Sequence, residues 1–220
     1  MIAVVDNNLG LYPTMEKLHY VTGHNCVGVL WEQTERDFCT MLEQSKRVVE
    51  TLDVSAVVLG NPQFAHACQS QVDGQFVFGC DAPVLHALTY TASNVLLCAD
   101  GATCHFYKRK NLANLLCLDC SPMLHNNFYN SKNRQVCQTV CSLVDGVDGR
   151  FDCIVFAHSN LNLYKTFFQQ CYPNVKLFDN LEGVARKLKK RLKKGNRDGQ
   201  NFVLAPNGEK ITEMFVKKWQ

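Results

Sequence analysis

Short apolar runs bounded by turn and cap residues alternate along this chain with longer stretches whose apolar positions recur at helical spacing. Residues 2–5 are all apolar and end at Asp6, and residues 26–31, 56–59 and 75–79 repeat the form. A run this continuous has no polar face to give to water, so each predicts a strand covered on both sides in a parallel sheet. Between them, residues 14–20, 38–52 and 64–71 carry the spacing of helices. The alternation then starts again, with strands at 94–98, 115–118, 153–156 and 175–178. Helices are expected near 103–112, 133–144, 161–170 and 181–194, followed by a last strand at 202–205 and a closing helix from about Glu209. The order predicts an α/β protein of two pseudo-symmetric, doubly wound, mostly parallel-sheet halves joined near residue 84. In such sheets ligands gather beyond the C-terminal ends of strands, where loops and helix N-termini meet. Asp6, Asn61 and His158 stand at ends of that kind.

Composition removes several classes. Of 220 residues, 46% are hydrophobic and 20% charged, with 13 Gly and 6 Pro, which excludes extended disorder, collagen and coiled coil. No apolar run nears the roughly 18–20 residues that span a bilayer, and Asp6 comes too early for a secretory core. A cytoplasmic protein is expected. The 12 cysteines include several inside apolar runs, such as Cys26 and Cys153, which read as small buried hydrophobes. Free thiols in a reducing compartment are therefore expected. The net charge of +3 is uneven: eight Lys or Arg and no acid fall between Arg186 and Arg197, and taking those eight away leaves the remainder at −5.

With the strand ends marked, seven segments in order resemble the aspartate/glutamate racemase family, its glutamate racemases most closely, over nearly the whole chain. Ile2-Ala-Val-Val-Asp-Asn-Asn-Leu-Gly10 is similar to the family's opening strand, which ends Phe-Asp-Ser-Gly-Val-Gly-Gly. Ala56-Val-Val-Leu-Gly-Asn-Pro-Gln63 is similar to the strand leading to Cys-Asn-Thr, and Leu96-Leu-Cys-Ala-Asp-Gly-Ala-Thr103 to Gly-Val-Leu-Ala-Thr-x-x-Thr. Cys120-Ser-Pro-Met-Leu124 resembles Cys-Pro-x-Leu. Asp152-Cys-Ile-Val-Phe-Ala-His-Ser-Asn-Leu-Asn-Leu163 stands where the family has Leu-Gly-Cys-Thr-His-Tyr-Pro-Leu. Phe178-Asp179-Asn180 with Val184-Ala185 matches Ile-Asp-Ser…Val-Ala, and residues 202–211 resemble the closing strand and helix. The resemblance implies a racemase-like fold, with residues 1–83 and about 180–220 in the first domain and 84–179 in the second. It also implies a small carboxylate or amino-acid ligand, no cofactor, and a homodimer.

The family's catalytic pair is replaced. Its racemases use two cysteines on opposite faces of the substrate α-carbon, one removing a proton as thiolate and the other delivering one. Residue by residue, the first falls on Asn61 and the second on His158. An amide has no acid or base chemistry near neutral pH, and a single histidine serves one face. The family's Asn-Thr becomes Pro62-Gln63, its Thr-His becomes Ser159-Asn160, and the Ser after the first Asp is Asn7. Asp6, Thr103 and Ser159 persist as candidate substrate contacts.

Two further patterns are weighed. Cys117, Cys120, Cys137 and Cys141 approach a structural zinc spacing, but Cys120 belongs to a family-like segment and Cys137 and Cys141 lie one turn apart on an expected helix. Arg186, Lys187, Lys189, Lys190, Arg191, Lys193, Lys194 and Arg197 could dock a nucleic acid or another anionic surface. The alternative is a solvated helix face whose cations favour the helix C-terminus. The expected function is a racemase-like pseudoenzyme with a binding or scaffolding role. The alternatives are a racemase- or decarboxylase-type enzyme with His158 as its single base, and polyanion binding through 186–197. The terminal Gln220 suits a product cut from a viral polyprotein, and equally a gene that ends there.

Overall fold

A computed structural model describes residues 1–6, 10–31, 43, 46–47, 50–60, 76–78, 87–88, 94–121, 124, 134–147, 151–193, 195, 199–205 and 207–211. The chain is α/β and divides into two compact units, Met1–Phe78 with Val184–Gln220, and Gly79–Gly183. Each has its own sheet.

In the first unit the strands are β1 (Ile2–Asp6), β2 (Cys26–Leu30), β3 (Ala56–Leu59), β4 (Phe76–Phe78), β9 (Phe202–Leu204) and β10 (Lys210–Ile211). Their order is β10-β9-β2-β1-β3-β4, parallel except for β10. The central strand β1 is buried throughout, as its unbroken apolar run requires. Ile2 and Val4 pack with Leu11, Met15 and Leu18 of helix α1 (Leu11–Thr22) on one face. Ala3 and Val5 pack with Val27, Val29 and Trp31 on the other. Helix α1 ends at Gly23, whose φ of 74° is the left-handed conformation that favours glycine, and whose N–H donates to His19 O.

Val184, Ala185 and Leu188 of helix α5 (Asn180–Arg191) join the α1 face of this core. The start expected for a closing helix, about Glu209, is corrected. Lys210 and Ile211 pair antiparallel with Leu204 and Val203. Asn207 Oδ1 accepts from Glu209 N–H at 3.0 Å, Gly208 has φ 84°, and Ala205 N–H donates to Glu209 O at 2.9 Å. The Asn-Gly pair closes a hairpin where a helix was expected.

In the second unit β5 (Val95–Ala99), β6 (Leu115–Asp119), β7 (Cys153–Phe156) and β8 (Lys176–Asp179) form a wholly parallel sheet in the order β6-β5-β7-β8. Its core gathers Leu96, Cys98, Ile154 and Phe156 from the sheet with Val144 of α3 (Arg134–Asp145) and Phe168 of α4 (Lys165–Cys171). The rings of Phe156 and Phe168 meet edge-on with centroids 4.9 Å apart. The helix expected at 161–170 opens instead as a 3-10 turn, Ser159–Tyr164, before α4 begins. Asn160 and Asn162, side chains that compete with helical backbone bonds, fall in that turn. Helix α2 (Gly101–Arg109) starts two residues earlier than its apolar spacing suggested, because Asp100 caps it. The helix expected at 64–71 lies outside the described residues. No helix among the described residues is long and apolar enough to cross a membrane.

Candidate functional site

Parallel pairing sets the C-terminal ends of the second unit's strands along one edge. Cys98 is opposite Phe156 across β5 and β7, and Ala99 is opposite Asp119 across β5 and β6. Past the last pairs, Ala157 N–H donates to the Cys98 carbonyl at 3.0 Å and Cys120 N–H to the Ala99 carbonyl at 2.8 Å. His158 and Cys120 therefore follow the two strands that flank β5, and Asp100 follows β5 itself. This is the sheet edge at which the sequence placed its candidate chemistry, and at which open parallel sheets receive ligands.

His158 is 6% exposed and extended, with φ −121° and ψ 133°, and it caps the 3-10 turn. Its Nδ1 accepts the Asn160 backbone N–H at 3.2 Å. A backbone amide only donates, so Nδ1 carries no proton and a neutral His158 holds its proton on Nε2. Ser159 and Asn160 beside it are buried. The Asn160 Oδ1 has no hydrogen-bond partner among the described residues. An orphan buried acceptor costs about 1–3 kcal/mol, and functional sites are where such costs are retained.

Thr103 is also buried on this edge, and its hydroxyl is engaged. It donates to Asp100 Oδ2 at 2.7 Å while its backbone N–H donates to Asp100 Oδ1 at 2.9 Å. The residue picked out as a substrate contact therefore completes the N-cap of α2. Asp100 was not singled out from the sequence, although the spacing Asp100-x-x-Thr103 is that of a helix start. Ser121 Oγ accepts the next N–H of α2, from Gly101, at 2.9 Å. Asp119 Oδ1 in turn accepts from Ser121 N–H at 2.8 Å. At the far strand Asp179 caps α5, accepting from Leu181 N–H at 3.1 Å and Glu182 N–H at 2.6 Å. Lys165 Nζ lies 2.5 Å from its other oxygen. Asp179 lies in a segment that resembles the family, but its pairing with Lys165 was not expected.

Asp6 stands at the equivalent edge of the first unit, fully buried at the end of β1. Trp31 N–H donates to its backbone carbonyl at 2.9 Å. A Cβ at Gly60 would collide with the Asp6 carboxylate, so the glycine after β3 is what leaves that carboxylate room. Asn7, Asn61, Pro62, Gln63, Lys194 and Arg197 lie outside the described residues, as does the side chain of Cys137.

The zinc spacing does not bring its ligands together among the described residues. Cys120 Sγ donates to the Leu118 carbonyl at 3.7 Å, and Cys104 Sγ donates to the same carbonyl at 3.3 Å. No group of three or more ligating side chains there could hold a metal. Of the basic run, Arg186, Lys187, Lys189, Lys190, Arg191 and Lys193 are all exposed. Leu188 between them is fully buried.

Two mostly parallel sheets, one in each unit, make this an aspartate/glutamate racemase-like α/β fold. The chain is similar to glutamate racemase from Thermus thermophilus in complex with beta-chloro-D-alanine (TM-score 0.70, 13% identity, 93% of this chain and 86% of that one). It is similar to glutamate racemase from Francisella tularensis in complex with D-glutamate (TM-score 0.68, 14% identity, 93% and 87%). It is also similar to Picrophilus torridus aspartate racemase (TM-score 0.63, 13% identity, 100% and 98%). At these identities the likeness carries the fold alone. No family model and no curated protein matches the chain.

Proposed function

We propose that this racemase-like fold binds a small carboxylate or amino acid without inverting it. The observation that carries the reading is the hydrogen bond at His158. With Nδ1 accepting the Asn160 N–H, the neutral imidazole carries its proton on Nε2, the tautomer of a hydrogen-bond donor rather than of a base at that nitrogen. Taking an α-proton at Nε2 would need the opposite tautomer, which sets Nδ1–H against the Asn160 N–H. By resemblance the other catalytic position is Asn61, an amide with no proton to exchange near neutral pH. The D-glutamate held by the Francisella tularensis enzyme supports the ligand class. Proton NMR in heavy water with D- and L-glutamate and aspartate tests it. The α-proton signals are expected to persist, while saturation transfer from the protein marks the bound acid. Loss of the α-proton with inversion would sink the reading. Loss with retention, abolished by His158→Ala, would establish His158 as a single base.

A second reading has its own support in the six exposed cations on α5 and just beyond it. They suit a polyanion, whose binding releases counterions and weakens as salt rises. Anisotropy of a labelled single-stranded oligonucleotide should give a log–log salt slope that flattens by about 0.7 for each lysine removed. Reversing Lys187, Lys189, Lys190 and Lys193 to Glu should abolish binding. Unchanged binding in that variant would reject the helix as the docking surface.

A further inference from the structure

No aromatic residue falls between Arg186 and Arg197, so the basic run by itself has cations but no ring on which a base could stack. The fold supplies a ring from another helix. Among the described residues Tyr20 of α1 is the one large apolar side chain left exposed, at 72%. It stands opposite the stripe Leu11, Met15, Leu18 and Thr22 that buries α1 against the sheet. Leu11, Met15 and Leu18 share one face of the core with Val184, Ala185 and Leu188 of α5. The two helices therefore cover the same side of the first unit's sheet.

Their C-terminal ends are tied together. Thr22 O accepts the Gly195 N–H at 3.3 Å, and His24 Nε2 donates to Lys193 O at 2.7 Å. A Cβ on Gly195 would come within 2.6 Å of Gly23 O, so only glycine permits this approach of the two chain segments. His19 Nδ1 donates to His24 O at 2.9 Å, which fixes the segment after α1 to the last turn of that helix. That same turn carries Tyr20. The bonds set it against the end of α5 at which Lys189, Lys190, Arg191 and Lys193 gather. Each helix carries a single acid, Glu182 in the first turn of α5 and Glu16 one turn before Tyr20, against six exposed cations from Arg186 to Lys193.

What this surface can take follows from what α5 leaves outside. Leu188 is fully buried and Leu192 packs against the core, so the outer side of α5 has no apolar stripe to sink into a lipid surface. A duplex keeps its bases paired and stacked on one another, with no base face open to a tyrosine ring. A single strand presents a row of phosphates and open base faces together, and a cationic track beside an aromatic ring answers both. Resting on the polyanion reading above, we propose that α1 and α5 form a binding site for single-stranded nucleic acid, in which the cations of α5 hold the phosphates and Tyr20 stacks on a base.

The test compares, by anisotropy on the full chain, a labelled strand of about twelve deoxythymidines with an abasic strand of the same length and charge. The thymidine strand should bind about tenfold more tightly, the effect of one stacked base. Tyr20→Ala should bring the two affinities together and leave the salt slope unchanged, because the phosphate contacts remain. Tyr20→Trp should keep the preference, since the larger ring stacks as well. Equal affinity for the two strands in the parent, or a preference that survives Tyr20→Ala, would overturn the stacking site while leaving the salt-dependent reading in place. Binding of both strands that survives reversal of Lys187, Lys189, Lys190 and Lys193 to Glu would reject the polyanion reading and this site with it. Tighter binding to phosphatidylserine vesicles than to the thymidine strand would assign the surface to lipid and overturn the proposal.

Discussion

Replacing Asp100 by Ala should cost the second unit about 3–6 kcal/mol, from two hydrogen bonds to a buried charged group at about 1.5–3 kcal/mol each. The carboxylate is 6% exposed and accepts both the backbone N–H and the hydroxyl of Thr103, which is itself fully buried. Alanine strands both donors where water does not reach. It also removes the negative group that the first turn of α2 favours. Asp100→Asn should stay within about 1 kcal/mol of the parent, because Asn caps nearly as well as Asp. Its Oδ1 can take the N–H and its amide can donate to the hydroxyl, reversing that bond without losing it. Adding Thr103→Val to Asp100→Ala should recover part of the loss, since one orphaned group is then gone. Hydrogen exchange suits the measurement, because both tryptophans lie outside residues 79–183. The amides of β5 and β7 should exchange about a hundredfold faster or more in Asp100→Ala. Unchanged exchange there would mean that the cap adds nothing to this unit.

That prediction depends on something the apolar pattern does not carry. The strand cores were legible because Ile2-Ala-Val-Val and Cys153-Ile-Val-Phe offer no polar face to water, and both strands are buried along their length. The residues just past each strand were harder to read. Asp100 reads in sequence as one polar residue after an apolar run, and only its spacing to Thr103 marks the cap that α2 closes over it. Thr103 was legible as a residue of the site, but its hydroxyl serves the cap. The hairpin ending in β10 was hidden for a related reason. Lys210-Ile211 has no β pattern of its own and becomes a strand by pairing with β9.

The surroundings of the cysteines were the least legible. Cys26 and Cys153 are buried small side chains, as their apolar neighbours indicated. Cys104 looks no different in sequence, and its bond to the Leu118 carbonyl comes from the packing of α2 on β6. The Cys117/Cys120 spacing suggested a shared ligand, yet the Cys120 thiol donates to the Leu118 carbonyl at 3.7 Å. A spacing read from a strand end therefore says little about which neighbours its residues will meet.

Alkaline solution should bring the largest loss of stability, and the thiols set its sign. Cys26 on β2 is pushed up to about 12 by burial, against an ordinary thiol value of 9.0, with the N-terminal charge pulling weakly the other way. A folded-state value above the unfolded one means the folded chain holds its proton longer. The contribution is complete below the unfolded value and is lost as pH climbs through the folded one. Over that window Cys26 alone accounts for about 4 kcal/mol, at about 1.4 kcal/mol per pH unit. In the other unit Cys98 and Cys104 are raised as well, Cys98 by its bond to Cys120 and then by burial, Cys104 by its bond to Cys117 and then by burial. Trp31 is buried in the same unit as Cys26, so its fluorescence in a Trp219→Phe background follows the first unit in urea. The unfolding midpoint should hold below about pH 9 and fall steeply above it. Cys26→Ala should start somewhat less stable at pH 7, for the volume it loses, and fall less steeply, so that the two curves converge as pH rises. Parallel curves would show that Cys26 keeps its proton no longer in the folded chain than in the unfolded one.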